Sequence, residues 1–465
     1  MTAPNTSTAS ANGPVFAIIG GGIAGSIQAI HLAERYPWLN IRIFEQRKEA
    51  LNGTSSMNPG RPTFGFHYHH LDTALFCQEN TINFAKFLHG IGCKHVFAQA
   101  PQHGIYVLMK GAVQILGETI RPVYDSDDIK PIFEQIRCHA VKKYSNDDYF
   151  NKHFGSPDQI CRELTKAEYN RFITAEFQTG LGACYETTEK TFNMPYICTF
   201  LRQKLKTYTN ITVVTEAKVT HIEPIFSAQW SGYSVGFKKG PDGIEQTEVV
   251  QLLTLACWER VGLFRQQLGK PACDPTYNRL KVLAILELEV KAQDLDMIRP
   301  IFVASGAYSM ISPQECIMTP SGTILCRIAC TLAIITNKMI SMDNEALPPE
   351  YDKLIFGTVS HDERMALGQP ILEGAKQIFT CLEHATLADV RFGTIRVPFG
   401  AGGGVGLHDP ASEHHAREVP GCYQLGNGLF VNEAMKVTYS IHNAETILEW
   451  CLEDIAKLRA LFPRA

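Results

Sequence analysis

The chain has 465 residues, 45% of them apolar and 19% charged, with a formal net charge of -4. That length exceeds what one simple core organises, so two domains are expected, and a slightly acidic, charge-balanced chain excludes the basic footprint of a nucleic-acid binder. No apolar run reaches the ~18 residues of a membrane helix, so no transmembrane segment is expected.

Residues 1–14, "MTAPNTSTASANGP", have neither the basic nor the apolar stretch of a signal peptide and read as a small, polar, disordered tail. The 14 cysteines show no C-x-x-C pair, a pattern expected of reduced thiols in a cytoplasmic protein.

The first strand, Val15–Ile19, runs into a glycine turn. Gly20, Gly22 and Gly25 satisfy G-x-G-x-x-G, and a helix with the small-residue stripe Gly25, Ala29 and Ala33 follows. In such a unit the first glycine makes the tight turn. The second lets the backbone approach a pyrophosphate, and the third lets helix and strand pack closely. The helix N-terminus, at Ile23 and Ala24, offers free N–H groups and a partial positive charge to that pyrophosphate. A second strand, Ile41–Glu45, ends in Glu45, where a ribose-binding carboxylate belongs, with Gln46 and Arg47 beside it.

The next stretch, "NGTSSMNPGRPTFGFHYHH" (Asn52–His70), is polar and glycine-rich. A nicotinamide-binding domain would continue into another helix. This loop can instead run back along an extended cofactor, offering the hydroxyls of Thr54, Ser55 and Ser56. Residues 75–185 carry helical patches and read as an insertion. Strands are expected at Ile211–Thr215 and Val249–Leu255. From Leu280 to Thr331 the texture changes to β-rich segments between Gly and Pro turns, as in an antiparallel sheet. The C-terminus returns to helix, with one apolar stripe at Val437, Ile441, Ala444, Leu448, Cys451, Ile455 and Leu458.

Taken with Glu45, the "GTSS" and "GFHY" elements and the C-terminal "GNGLFVNEAMKVTYSIHNAE", the sequence resembles the D-amino-acid-oxidase-like superfamily of FAD-dependent oxidoreductases. The closer likeness is to its branch oxidising 2-hydroxy acids and glycerol 3-phosphate. Gly65 and Tyr68 match that branch's glycine-x-x-tyrosine element, and Lys436 and Thr438 its Lys-x-Thr before the last helix. The resemblance is sharp over about the first 70 and last 70 residues. It implies an α/β fold: a discontinuous Rossmann-like FAD-binding domain of the glutathione-reductase-2 type, with an inserted α+β substrate domain built on an antiparallel sheet. The expected FAD-binding pieces are 15–90, 186–268 and 386–465, and the expected substrate domain is 91–185 with 269–385.

It further implies non-covalent FAD. Val219 would touch the adenine side, and N–H groups of Phe430, Val431 and Asn432 would face the flavin's pyrimidine edge, where reduced flavin carries negative charge. Cys198, Cys257 and Cys422 could in principle attach the flavin covalently, and nothing in the sequence selects one. Trp258 matches a family strand end, but Leu255 and Ala256 stand where alanine and glycine are expected.

For a small carboxylate-bearing substrate, Arg396 holds the position where the family offers a guanidinium fork, with Arg61 as second candidate. A hydroxy acid also needs a base, and His67 is the first choice, followed by His69, His70 and His408. "GAGGGVG" (400–406) lacks a following helix signal and reads as a flexible loop over the site. The histidines of "HYHH" and His414–His415 lack a familiar ligand spacing, and no metal is expected.

The leading expectation is hydride transfer from the α-carbon of a 2-hydroxy acid to flavin, reoxidised by oxygen or a quinone. An amine or amino-acid oxidase, or a protein holding FAD without turnover, are the alternatives. A flavin monooxygenase or a disulfide reductase lacks its signature stretch here.

Overall fold

The computed structural model describes residues 13–463 apart from 63, 102, 228–229, 241–242, 272–275, 307, 334–337, 343, 358 and 399–420. The tail (1–12), the glycine-rich stretch 400–406, and His408, His414 and His415 therefore lie outside the described residues.

Val15–Ile19 is buried at all five positions, as a strand with both sheet faces covered must be. It is central in a six-stranded sheet ordered Cys422–Gly426, Leu429–Asn432, Leu252–Leu255, Val15–Ile19, Asn40–Phe44, Ile211–Val214. All pairings are parallel except that of the Cys422–Gly426 edge. The helix Ile23–Arg35 packs on this sheet and stops at Tyr36, just before Pro37, which cannot continue it.

A buried polar chain ties these parts together. Asn443 Nδ2 donates to Asn432 Oδ1 at 3.1 Å, Asn432 Nδ2 to Gln28 Oε1 at 3.0 Å, and Gln28 Nε2 to Thr254 Oγ1 at 2.8 Å. Each link joins a different element, so the first helix, the helix Ser440–Trp450 and two strands share one register. The C-terminal stripe is buried from Ile441 to Leu458, on two helices, Ser440–Trp450 and Leu452–Leu461, that meet at Cys451.

The expected single strand Val249–Leu255 is two strands. Gln251 stands between them: its N–H donates to Val15 O and its side-chain Oε1 accepts the Val15 N–H. Glu245–Val250 belongs to a three-stranded antiparallel sheet with Ala217–Phe226 and Ser231–Lys239, and Leu252–Leu255 to the parallel sheet.

The β-rich region forms a nine-stranded sheet around the long strand Thr276–Val290. It is mixed, not purely antiparallel, because Ile301–Ser305 runs parallel to Ile105–Met109. That second strand, "IYVLM", falls in the stretch read as a helical insertion. A short, fully buried apolar run carries no period to distinguish it. Thr386–Pro398, grouped by sequence with the FAD-binding pieces, pairs along Thr276–Val290 in this sheet instead. No helix among the described residues is long and apolar enough to cross a membrane.

Candidate functional site

A cleft opens at the carboxyl ends of Val15–Ile19 and Asn40–Phe44, where parallel sheets take their ligands. Gly20 has φ +111°, and a Cβ there would lie 2.4 Å from the Ala256 carbonyl oxygen. A Cβ on Gly25 would lie 2.2 Å from the Gly20 carbonyl oxygen. Packing demands glycine at both. Gly22 is different. Its backbone is ordinary, φ -69° and ψ -174°, and the nearest atom to a Cβ would be Ser55 Oγ at 3.4 Å. The fold leaves room there, and the position faces the cleft.

The Ile23 N–H donates to Ser55 Oγ at 2.9 Å, so the polar loop supplies the helix cap that glycine lacks. A phosphate oxygen would meet the same donors and the same dipole. Glu45 accepts the Gly21 N–H through Oε2 at 2.9 Å and the Arg47 N–H through Oε1 at 2.8 Å. Burial raises its carboxyl above the ordinary value, against the downward pull of those two bonds. Each oxygen keeps a second lone pair for a ribose hydroxyl.

Ile23, Ala24, Gln46, Arg47, Thr54 and Val219 also line the cleft. Arg47 is steadied by Nη2 donating to Ile355 O at 2.8 Å and by the Phe356 ring, 4.8 Å away. Ser56 does not join the wall; its hydroxyl donates to Gly53 O at 2.9 Å. The cavity volume is about 360 Å³, within the roughly 300–1,000 Å³ usual for ligand sites, and its lining runs unbroken from the Gly20–Glu45 unit past Thr54 and Val219, as an extended dinucleotide requires. The residues present fit such a group.

At the far end the two separated sequence motifs meet. The Lys436 ammonium lies 5.0 Å from the Tyr68 ring centroid, and both line the cleft with Thr438. Gly65, at φ +91°, sets the turn, since a Cβ there would lie 2.6 Å from Ala74 O. His67 stacks on Phe302 at 4.3 Å and lines the wall. His69 also lines it, stacked on Tyr124, whereas His70 sits outside, preceding the helix Leu71–Gly90.

Several expected residues lie elsewhere. Phe430, Val431 and Asn432 are buried in the sheet and do not line the cleft; Phe430 and Val431 pair with strands on both sides, and Asn432 pairs with Cys422. The cleft wall takes Glu433–Thr438, the segment just after the strand. Arg396 is 2% exposed and spent on structure. Its Nη1 donates to Glu433 Oε1 and to Trp258 O, and its Nη2 to Thr276 Oγ1. Strand alternation accounts for its place outside the cleft. Arg391, Gly393 and Ile395 pair with Leu283, Lys281 and Arg279, and these six line the cleft while Arg396 does not.

Arg61 lines the cleft but is also engaged. Its Nε donates to Glu189 at 2.7 Å, both side chains being nearly fully buried, and its guanidinium lies 4.6 Å from the Tyr106 ring. Tyr106 in turn donates to Glu189. Sequence reading overlooked Arg279, Lys281 and Arg391 among the cations of the cleft wall, the last also pairing through Nε with Asp389 at 3.3 Å. A period-2 pattern would have grouped them, had the strand pairing been known.

Ala256 holds its glycine-expected position without distortion: its N–H donates to Ile19 O at 2.8 Å. Trp258 Nε1 donates to Thr394 O at 2.8 Å. Of the three cysteines considered for flavin attachment, only Cys257 reaches the cleft. Burial pushes its thiol far up, away from the nucleophilic thiolate. Among the described residues, no group of three His, Cys, Asp or Glu is placed to hold a metal ion.

No family model matches the sequence, and no curated protein matches it. Solved structures do. An L-amino acid deaminase from Proteus vulgaris superposes with TM-score 0.59 at 16% identity, over 96% of this chain and 95% of that one. Glycine oxidase from Geobacillus kaustophilus gives 0.58 at 13% identity over 95% and 94%. L-alpha-glycerophosphate oxidase from Mycoplasma pneumoniae, with FAD bound, gives 0.54 at 13% identity over 94% of each chain. Coverage extends through the middle of the chain, where the sequence likeness was only architectural. The chain shares the fold of these solved structures.

Proposed function

We propose that the protein is an FAD-dependent oxidoreductase that takes hydride from the α-carbon of a small carboxylate-bearing substrate. The observation that carries this reading is the single cleft joining the Gly20–Glu45 motif to the Tyr68–Lys436 pair. FAD, when bound, supplies the hydride acceptor.

The chain's own residues do the rest. The Ile23 helix terminus and Ser55 hold the pyrophosphate, Glu45 the adenosine ribose, and Val219 the adenine side. Arg279, Lys281, Arg391 and Lys436 give the wall its positive charge, from which the substrate carboxylate takes its anchor. Phe66, Tyr124, Phe302, Tyr308 and Met310 form an apolar lining that excludes water around the reacting carbon. His67 accepts the hydroxyl proton at an imidazole nitrogen if the substrate is a 2-hydroxy acid. An amino acid needs no such strong base once its amine is deprotonated. The deaminase, the glycine oxidase and the L-proline dehydrogenase from P. horikoshii that share the fold favour this second substrate class. Oxygen or a quinone is the final acceptor.

The test is an anaerobic titration of the FAD-loaded protein with 2-hydroxy acids and then amino acids, followed in the visible spectrum. Bleaching by one class assigns it. If the hydroxy acids bleach, His67→Ala lowers the reduction rate about 10²- to 10⁴-fold, and His67→Phe, which keeps the stack on Phe302, does the same. Amino-acid reduction is spared in both variants. Bound FAD that dithionite reduces but neither class does would overturn the proposal.

A further inference from the structure

Cys316 and Cys326 stand as register partners on the neighbouring strands Ser309–Met318 and Ile324–Leu332, their sulfurs 3.1 Å apart. The hairpin fixes what kind of pair this is. The Thr319 N–H donates to the Thr323 carbonyl at 2.8 Å, and pairs alternate between bonded and non-bonded backbone along an antiparallel ladder. Counting back from Thr319–Thr323, the pair Cys316–Cys326 falls at a site with no direct backbone bonds. There the Cα atoms stand about 4.5 Å apart, inside the roughly 4.4–6.8 Å span of protein disulfides. Cys326 is buried and Cys316 partly exposed. Neither lines the cleft.

We propose that these two thiols are a redox modification site that closes to a disulfide in the folded protein, with hydrogen peroxide as the oxidant. Cys316, the accessible partner, takes oxygen from the peroxide to form a sulfenic acid, releasing one water. The Cys326 sulfur then attacks the Cys316 sulfur, forming the S–S bond and expelling a second water. Two thiols and one peroxide become one disulfide and two waters, and a dithiol reductant reverses the reaction.

The strand that carries Cys316 also reaches the cleft. Ser312 Oγ and Gln314 Nε2 both donate to Pro59 O, in the polar loop of the cleft, at 3.0 and 2.7 Å. Met310 and Thr331, register partners on the same two strands, lie in the cleft wall. The bond therefore locks the strand pair that supports the loop.

The folded protein is treated with hydrogen peroxide, its remaining thiols are alkylated, and its peptides are mapped by mass spectrometry. The expected result is a Cys316–Cys326 crosslink with the loss of two hydrogens, reversed by dithiothreitol, absent from Cys316→Ser and Cys326→Ser, and accompanied by a higher melting temperature. Sulfinic acid at Cys316 with Cys326 still alkylatable would overturn the proposal. So would a crosslink that appears only after denaturation. Neither readout depends on FAD or turnover.

Discussion

Gly22 and Gly25 separate ligand binding from folding, because the structure gives them opposite surroundings. In Gly25→Ala the new methyl would sit 2.2 Å from the Gly20 carbonyl oxygen, and backbone on both sides must move to accept it. Overpacking of this kind costs about 1–3 kcal/mol or more. In Gly22→Ala the methyl meets only Ser55 Oγ, at 3.4 Å, an ordinary contact. Alanine is a poorer N-cap than glycine, but Ser55 already bonds the Ile23 N–H, so the folding cost is on the order of 0.5 kcal/mol. The same methyl protrudes where the pyrophosphate must approach the helix terminus. Losing one charge-assisted hydrogen bond costs about 1.5–3 kcal/mol, or roughly 10- to 100-fold in affinity. Flavin-fluorescence titration of the FAD-free variants measures affinity, and thermal melts without FAD measure folding. Gly22→Ala melts close to wild type and binds FAD weakly, whereas Gly25→Ala melts early. A Gly22→Ala protein that binds FAD as tightly as wild type would refute the placement of the pyrophosphate at Ile23.

Two further expectations concern buried and aromatic groups. Arg61→Leu leaves the Glu189 carboxylate buried without its cation and destabilises the protein by about 3–5 kcal/mol; pairing it with Glu189→Leu restores part of that loss, and urea melts of the single and double variants measure the difference. His153, against His89 and Tyr149, has its pKa lowered to about 4, first by burial and then by the neighbouring His89. An imidazole harder to protonate in the folded than in the unfolded chain leaves stability intact above pH ~6.5 and removes it as the pH falls from there toward 4. His153→Phe therefore shows a shallower loss of stability across that window, read from urea midpoints at successive pH values; an unchanged slope would place the titration elsewhere.

What the sequence determined by itself is local and spaced by few residues. The turn Gly20–Gly25, the strand before it and Glu45 after it form one contiguous unit whose chemistry follows from residue type and spacing, and the structure holds Glu45 against the Gly21 N–H in that same unit. The apolar stripe from Ile441 to Leu458 was equally legible, because a helix writes its buried face into its period. Lys436 and Tyr68 were each marked by resemblance, yet only the fold brings their side chains together across the length of the chain. The expected residues that lie outside the cleft share one cause. Which face of Thr386–Pro398 meets the cleft depends on its register against Thr276–Val290, and a shift of one residue exchanges Arg396 for its neighbours. Phe430 and Val431 lie outside the cleft for a similar reason, since each is paired with strands on both sides. Strand pairing is a long-range property, so tertiary structure alone decided which cations face the cleft and which are spent holding it together.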